Sequence, residues 1–207
     1  YLEKWGLNGC LADDMGLGKT IQVLSLLLKE REERLSAGPT LLICPTSVVR
    51  NWQRESQRFA PTLSIIVHHG QQRLKGDAFK EHALGSDMVI TSFSIARRDS
   101  KEFKNVRWKR IVIDEAQNIK NPKSQQTKAI KSLPSETRIA LTGTPVENRL
   151  AELWSIMDFL NPGYLGSLNS FRANFELPIQ KYNENKPLEK LQKLVKPFVL
   201  RRVKTDP

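Results

Sequence analysis

A glycine-rich stretch near the start of the chain has the composition of a phosphate-binding loop. Residues 11–20 read LADDMGLGKT and lead from a strand-like segment into a helical one. In that context glycines let backbone N–H groups face a phosphate, and the helix adds its positive N-terminal end. Lys19 can reach the terminal phosphates, and the Thr20 hydroxyl can bind Mg²⁺. Asp13 occupies the position at which the usual pattern has its first glycine. The residues expected to bind nucleotide are Asp14, Met15, Gly16, Leu17, Gly18, Lys19 and Thr20.

Two acidic side chains follow the apolar run at residues 111–113. Its β-branched residues predict a buried strand, so Asp114 and Glu115 emerge at the carboxyl end, where parallel α/β sheets bind ligands. Asp114 is predicted to hold the Mg²⁺ of the nucleotide, and Glu115 to polarise an attacking water. This chemistry is hydrolysis rather than transfer to an organic acceptor. Taken alone, such an acidic pair is also typical of an ordinary solvated strand end.

Apolar, β-branched runs recur along the chain with helical patterns between them. They are continuous rather than alternating, as in strands that are covered on both faces. The fold class predicted is α/β, a parallel sheet with helices on both faces and right-handed crossovers. Helix candidates include residues 19–34 and 47–59. The strand candidates are residues 9–12, 40–44, 64–68, 87–91, 110–113 and 138–141.

The pattern changes after Leu141. Leu150, Leu153, Trp154 and Met157 recur at the spacing of an amphipathic helix, and an Asn-Pro-Gly turn follows at residues 161–163. We therefore expect an α/β lobe at residues 1–146, a small all-helical protrusion at 147–198 that is packed on the lobe or projects from it, and an exit segment at 199–207.

The composition of the chain is basic and low in cysteine and histidine. Lys and Arg outnumber Asp and Glu by 33 to 22, a surplus that attracts polyanions. The dense basic runs at residues 97–110 and 181–204 are also typical of solvated faces. Cys10 and Cys44 lack CxxC spacing and are predicted to be buried and reduced, and the three histidines lack metal-site spacing. The sequence contains no run of about 18 apolar residues, so it predicts no membrane-spanning helix.

Six stretches spread over almost the whole chain carry one further pattern. They are residues 11–22 (LADDMGLGKTIQ), 44–59 (CPTSVVRNWQRESQRF), 89–99 (VITSFSIARRD), 114–122 (DEAQNIKNP), 141–154 (LTGTPVENRLAELW) and 198–204 (FVLRRVK). In content and order they resemble the Swi/Snf-type branch of superfamily-two helicases. The resemblance implies the RecA-like first lobe of an ATP- and Mg²⁺-dependent translocase, which tracks along double-stranded DNA without separating its strands.

The resemblance also assigns roles to the residues of the expected nucleotide site. The expected catalytic residues are Lys19 of motif I and Asp114, Glu115 and Gln117 of motif II, with Thr20 and Asp114 as the Mg²⁺ ligands. Motif III couples the nucleotide state to DNA contact in the family, and it corresponds here to Thr142, Gly143 and Thr144.

The resemblance also implies that a second set of residues contacts the DNA backbone. Short hydroxyls and backbone N–H groups at strand ends suit phosphate contacts that do not read sequence. Capping of the following helices is an alternative role for the hydroxyls, and the two roles are compatible. Trp52 lies on the same helical face as Val48 and Phe59 and is interpreted as a core residue. The expected DNA contacts are Pro45, Thr46, Ser47, Thr91, Ser92, Lys120 and Asn121.

The resemblance further implies that this chain is half of a motor. A second RecA-like lobe would follow the exit segment and supply an arginine finger, which contributes about 10³–10⁵ in rate. The glutamine motif that recognises adenine would lie before Tyr1. Gln117 makes the DEAQ box similar to prokaryotic members, so the cytoplasm is the expected location, or the nucleus if the source is eukaryotic. The fragment is expected to be monomeric.

Two alternatives remain open from the sequence. One is a lobe of a strand-separating RNA or single-stranded-DNA helicase, which the IKN extension after the DEAQ box, the helical segment after TGT and the LRR exit disfavour. The other is a non-catalytic module that binds DNA or a partner, which the full set of catalytic residues disfavours.

Overall fold

The computed structural model describes residues 2–33, 38–143 and 150–204. Within these ranges seven strands form one sheet in the order β3-β4-β2-β5-β6-β1-β7, and every strand pair is parallel. The carboxyl ends of parallel strands lie at one edge of a sheet, so the loops that follow them converge there. The strands are β1 (Gly9–Leu11), β2 (Thr40–Cys44), β3 (Ile65–Val67), β4 (Met88–Ser92), β5 (Trp108–Ile113), β6 (Ser135–Leu141) and β7 (Val199–Leu200).

The helices of the described ranges follow the predicted alternation. The two longest ones predicted in the first half are present as α1 and α2, with boundaries within two residues of those expected. Short 3-10 turns cover Leu2–Trp5, Thr46–Val48, Ala116–Ile119 and Lys196–Phe198, and Arg172–Glu176 is π-helical. The α-helices are α1 (Lys19–Glu32), α2 (Val49–Phe59), α3 (Gly76–Leu84), α4 (Phe93–Arg98), α5 (Ser100–Lys104), α6 (Gln125–Lys131), α7 (Leu150–Leu160), α8 (Leu168–Phe171), α9 (Leu177–Tyr182) and α10 (Asn185–Val195).

The sheet separates two hydrophobic cores, because successive side chains of a strand point to opposite faces. In β2, Leu42 packs with residues of α1 and α2 on one face, whereas Leu41 and Ile43 pack on the other. All residues of β2 and β4 are buried. The continuous apolar runs therefore mark central strands, as predicted.

The helical segment after β6 belongs to the larger of these two cores. Phe159 of α7, Phe171 of α8 and Leu191 of α10 are buried in the same cluster as Ile111 and Ile113 of the central strand β5. Residues 150–198, the described part of the segment expected as a protrusion, are thus packed on the lobe and share its core.

The start of the expected exit segment also belongs to the lobe. Val199 and Leu200 form β7, which pairs in parallel with Cys10 and Leu11 of β1. The place of these residues beside the phosphate-loop strand was not predicted from the sequence.

Both cysteines lie in strands of the sheet. Cys10 and Cys44 are buried and free, and burial raises the pKa of each thiol to about 12. No helix in the described ranges is long and apolar enough to cross a membrane.

Candidate active site

The phosphate loop connects β1 to α1 with the geometry predicted from its glycines. Gly16 and Gly18 have φ values of 86° and 75°, a region that side chains with a Cβ rarely adopt. Gly18 immediately precedes the first residue of α1, so the helix N-terminus faces the loop. Lys19 begins the helix and Thr20 follows it, which puts the ammonium and the hydroxyl at the loop.

Lys19 is held by the loop itself. Its Nζ donates to the carbonyl oxygens of Asp13 at 2.6 Å and Asp14 at 3.2 Å. The loop amides are not all equivalent: Asp14 N–H donates to the carbonyl of Arg202, and Leu17 N–H donates to the carbonyl of Asp14. Phosphate contacts from these two amides would require those bonds to open, which leaves Met15, Gly16 and Gly18 as the better placed donors.

Asp114 directly follows β5, and both of its carboxylate oxygens are engaged. Oδ2 accepts a 2.8 Å hydrogen bond from Nε1 of Trp52, and Oδ1 accepts one from the backbone N–H of Glu115 at 2.9 Å. Burial raises the pKa of the Asp114 carboxyl; the Trp52 bond opposes the shift, and the charge of Glu115 adds to it. Lys19 also lies close enough to favour the ionised form.

The donors near the loop fit a magnesium ion. Mg²⁺ prefers oxygen ligands and typically takes one or two from protein side chains, keeping several waters. Each oxygen of Asp114 accepts a single hydrogen bond from the groups around it, so each retains lone-pair capacity. Together with the Thr20 hydroxyl this donor set suits Mg²⁺.

Glu115 adopts a backbone conformation that is unusual for its residue type. Its φ of 53° and ψ of 61° lie in the left-handed region, a sparsely populated one that concentrates at functional sites. The Glu115 carbonyl accepts hydrogen bonds from the backbone N–H and Nδ2 of Asn118, both at 2.9 Å. These bonds fix the direction in which the Glu115 side chain leaves the backbone.

Gln117 joins the acidic pair to the segment after β6. Its Nε2 donates to Oε2 of Glu115 at 2.7 Å, and its Oε1 accepts from the Thr142 hydroxyl at 3.3 Å. Thr142 N–H in turn donates to the carbonyl of Leu11 at the end of β1. One chain of hydrogen bonds therefore runs from Glu115 to the residue expected in a coupling role.

Gly143 approaches the phosphate loop closely. A Cβ at this position would lie 2.8 Å from Cγ of Met15 and 3.7 Å from Nζ of Lys19. Any larger residue would therefore displace Met15. Thr144, the third residue expected in this motif, lies outside the described residues.

The residues expected to contact DNA lie within or just after the carboxyl ends of β2, β4 and β5, at one edge of the sheet. Thr46 and Ser47 are exposed and Pro45 is half-buried. Lys120 is exposed and lies 3.4 Å from Glu152, and Asn121 is exposed with its Oδ1 accepting from the Lys123 amide.

Thr91 and Ser92 differ from the other expected DNA contacts. Both are completely buried. The Thr91 hydroxyl donates to the carbonyl of His68, and Ser92 caps α4 by accepting from the Ile95 amide. Ser92 is therefore a helix cap in this structure, and neither hydroxyl is exposed to solvent. Ser94 is exposed beside Ser92, with their hydroxyl oxygens 3.1 Å apart.

Two relationships at the site lay outside the sequence-based prediction. Trp52 is a core residue, as predicted, but its indole N–H serves Asp114. The indole N–H of a buried tryptophan needs a hydrogen-bond acceptor, and this requirement could have indicated from the sequence that a polar group lies beside Trp52. The second is the pairing of Asp13 with Arg202, which joins residues 189 positions apart.

Fold and site together define a parallel α/β lobe with a P-loop nucleotide site. Residues 2–206 match the family described as SNF2-related domain. The chain is 50% identical over 206 residues to the putative ATP-dependent helicase/translocase YwqA of Bacillus subtilis, covering 100% of this chain and 22% of that protein. The solved Sulfolobus solfataricus SWI2/SNF2 ATPase core in complex with dsDNA matches with a TM-score of 0.89 and 46% identity, over 99% of this chain and 42% of that one.

The chain belongs to the SNF2-related domain family, and the RecA-like fold expected from the sequence is confirmed. Similarity extends to eukaryotic proteins: the TATA-binding protein-associated factor MOT1 of Saccharomyces cerevisiae is 36% identical over 228 residues, which cover 100% of this chain and 12% of that protein. The chain thus spans about a fifth or less of the length of these curated relatives.

Proposed function

We propose that this chain is the ATP-binding lobe of a DNA-dependent ATPase that translocates on double-stranded DNA. One observation carries the proposal: the hydrogen-bond chain from Glu115 through Gln117 to Thr142 links the expected water-activating carboxylate to the segment after β6. Such a link is what a motor needs if hydrolysis is to change the conformation of its surroundings.

The residues of the lobe divide the chemistry between them. Lys19 leaves the loop carbonyls to bind the terminal phosphates as a point charge. Thr20 and Asp114 would hold Mg²⁺, which would neutralise the negative charge that develops on the phosphates. Glu115 orients the attacking water and accepts its proton, and Gln117 keeps the carboxylate of Glu115 in place.

Two observations support double-stranded DNA as the polymer along which the protein moves. Thr46, Ser47, Lys120 and Asn121 are exposed on the loops after β2 and β5, and β5 itself carries the acidic pair. The related Sulfolobus core is a complex with double-stranded DNA. Binding through such residues would be independent of sequence and would weaken steeply with salt, since phosphate contacts release counterions.

A second RecA-like lobe is proposed to complete the site. An arginine finger supplied by that lobe would contribute about 10³–10⁵ in rate, equivalent to about 4–7 kcal/mol of barrier. The isolated chain of 207 residues should therefore bind Mg–ATP weakly as a monomer and turn over almost none of it. The DEAQ sequence supports a prokaryotic source and a cytoplasmic location as part of this proposal.

The experiment is an ATPase assay of the intact protein with duplex DNA, single-stranded DNA and RNA as stimulants, alongside the isolated chain. We expect stimulation by duplex DNA in the intact protein alone, abolished by Lys19→Ala. Stronger stimulation by single strands or RNA would favour a strand-separating helicase. Unchanged nucleotide affinity in Lys19→Ala would favour a binding module without catalysis.

A further inference from the structure

The last described residues run alongside the phosphate loop. We call residues 199–204 the strap. Its pairing with β1 continues beyond β7, because the N–H of Ala12 donates to the carbonyl of Leu200 at 2.7 Å and that of Asp14 to the carbonyl of Arg202 at 3.1 Å. The first half of the loop is therefore hydrogen-bonded to the strap at alternate residues, as in a parallel strand pair.

An ion pair anchors the strap to the loop. Asp13 is completely buried, and its carboxylate accepts from the backbone N–H, Nε and Nη2 of Arg202. Gln22 of α1 completes the cluster, with its Nε2 donating to Asp13 and its Oε1 accepting from Arg202. Burial opposes ionisation of Asp13, but the bonds from Arg202 and Gln22 outweigh it and hold the pKa of this carboxyl below its usual value.

The same anchor brings a second lysine to the loop. A Cβ on Gly16 would lie 3.4 Å from Nζ and 3.6 Å from Cε of Lys204, so the ammonium stands directly over the loop backbone. The Lys204 backbone N–H donates to Oδ2 of Asp14 at 3.3 Å, which directs that carboxylate toward the strap. Gly16 is among the residues best placed to face a phosphate.

We propose that the strap is part of the nucleotide site, with Lys204 as a second phosphate-binding lysine and Arg202 as the positioning residue that presents it. This inference rests on the proposed ATP-binding function of the loop. Lys19 and Lys204 would approach the phosphates from the helix side and from the strap side respectively. Nucleotide binding and the position of the strap are then coupled, because each favours the other.

The test measures binding of a non-hydrolysable ATP analogue, ADP and AMP to the intact protein by calorimetry in the presence of Mg²⁺. Lys204→Ala should weaken binding of the ATP analogue about tenfold, that of ADP less, and that of AMP little, because the attraction grows with the phosphate charge within reach. Lys204→Arg retains the charge and should restore most of the affinity. Lys193→Ala, which removes an equal charge from the exposed face of α10, is the matched control.

The role of Arg202 needs a variant that folds. Arg202→Ala alone would leave the buried Asp13 carboxylate without its partner, so the test uses Asp13→Gly combined with Arg202→Ala. This pair removes both charges and restores the glycine usual at this loop position. It should reproduce the loss seen in Lys204→Ala, and adding Lys204→Ala to it should cost little more.

The outcomes separate this inference from the function on which it rests. If Lys19→Ala weakens binding while Lys204→Ala leaves it unchanged, or weakens all three nucleotides equally, the lysine proposal is overturned and the ATP-binding function stands. If the two effects of Lys204→Ala and the Asp13/Arg202 pair add fully, Arg202 does not act through Lys204. If Lys19→Ala has no effect either, the proposed function fails and the inference fails with it.

Discussion

The indole N–H of Trp52 points at Asp114 across 62 residues of sequence and donates a 2.8 Å hydrogen bond to its Oδ2. Trp52 is 1% exposed in the core between α2 and the sheet, so the bond is formed away from water. A core tryptophan thus fixes one oxygen of the carboxylate that is expected to bind Mg²⁺, and partner groups of this kind orient metal ligands and tune their affinity.

Trp52→Phe should weaken Mg–nucleotide binding about tenfold while the protein remains folded. The ring is kept, but a hydrogen bond to a charged group is lost, and such bonds contribute about 1.5–3 kcal/mol. The measurement is the Mg²⁺ dependence of nucleotide affinity. Trp108→Phe is the matched control, because it removes an equally buried indole N–H whose acceptor is the carbonyl of Phe103. Equal losses in the two variants would mean that the effect is general core damage.

The pH dependence of Mg²⁺ binding should reveal the environment of Asp114. Burial raises the pKa of this carboxyl, so its protonation begins at a higher pH than for an ordinary Asp, whose pKa is about 3.9. Because Mg²⁺ needs the ionised form, affinity should fall as the pH is lowered through this raised value. In Trp52→Phe the onset should move to still higher pH, since the lost bond favours the charged form. Profiles that coincide for Trp52→Phe and Trp108→Phe would contradict this assignment.

Gln117 and Thr142 should act as one unit. Gln117→Ala frees the Glu115 carboxylate and should lower kcat about tenfold with little change in nucleotide KM. Thr142→Val should have a smaller effect in the same direction. In a double-mutant cycle the two effects should fall short of additivity by about 1 kcal/mol, as for residues in one hydrogen-bond network. Full additivity would show that the chain from Glu115 to Thr142 carries no energetic coupling.

Gly143→Ala should impair nucleotide binding severalfold by pushing Met15 out of its place. The added Cβ would meet Cγ of Met15 at 2.8 Å, whereas its next contacts, at 3.7 Å and 3.9 Å, are ordinary. Met15→Ala combined with Gly143→Ala should therefore recover binding, although Met15→Ala alone gains nothing. The measurement is nucleotide affinity of the three variants, and a double variant no better than Gly143→Ala would exclude the contact as the cause.

Local patterns predicted the edge of the sheet at which the chemistry gathers, because apolar runs mark parallel strands and such strands share a carboxyl edge. They did not predict which polar groups meet inside. Thr91 looks like an exposed strand-end hydroxyl, yet its O–H donates to the carbonyl of His68 at the end of the neighbouring strand. Arg110 ends a basic run typical of a solvated face, yet it is 1% exposed and paired with Glu30 and Glu3. Such pairings depend on residues far apart in the chain, and spacing along the sequence carries no record of them.

The place of β1 in the sheet has a consequence for how the protein is made. Gly9–Leu11 is the first strand of the chain, but its two neighbours are β6, with Gly9 opposite Ile139, and β7, with Cys10 opposite Val199. Contacts so distant along the chain form late, because loop closure must precede them. During synthesis the strands from β2 to β5 are available to pair long before β1 has either partner. The phosphate loop, although translated before most of the lobe, should thus acquire its shape only after nearly the entire lobe has left the ribosome.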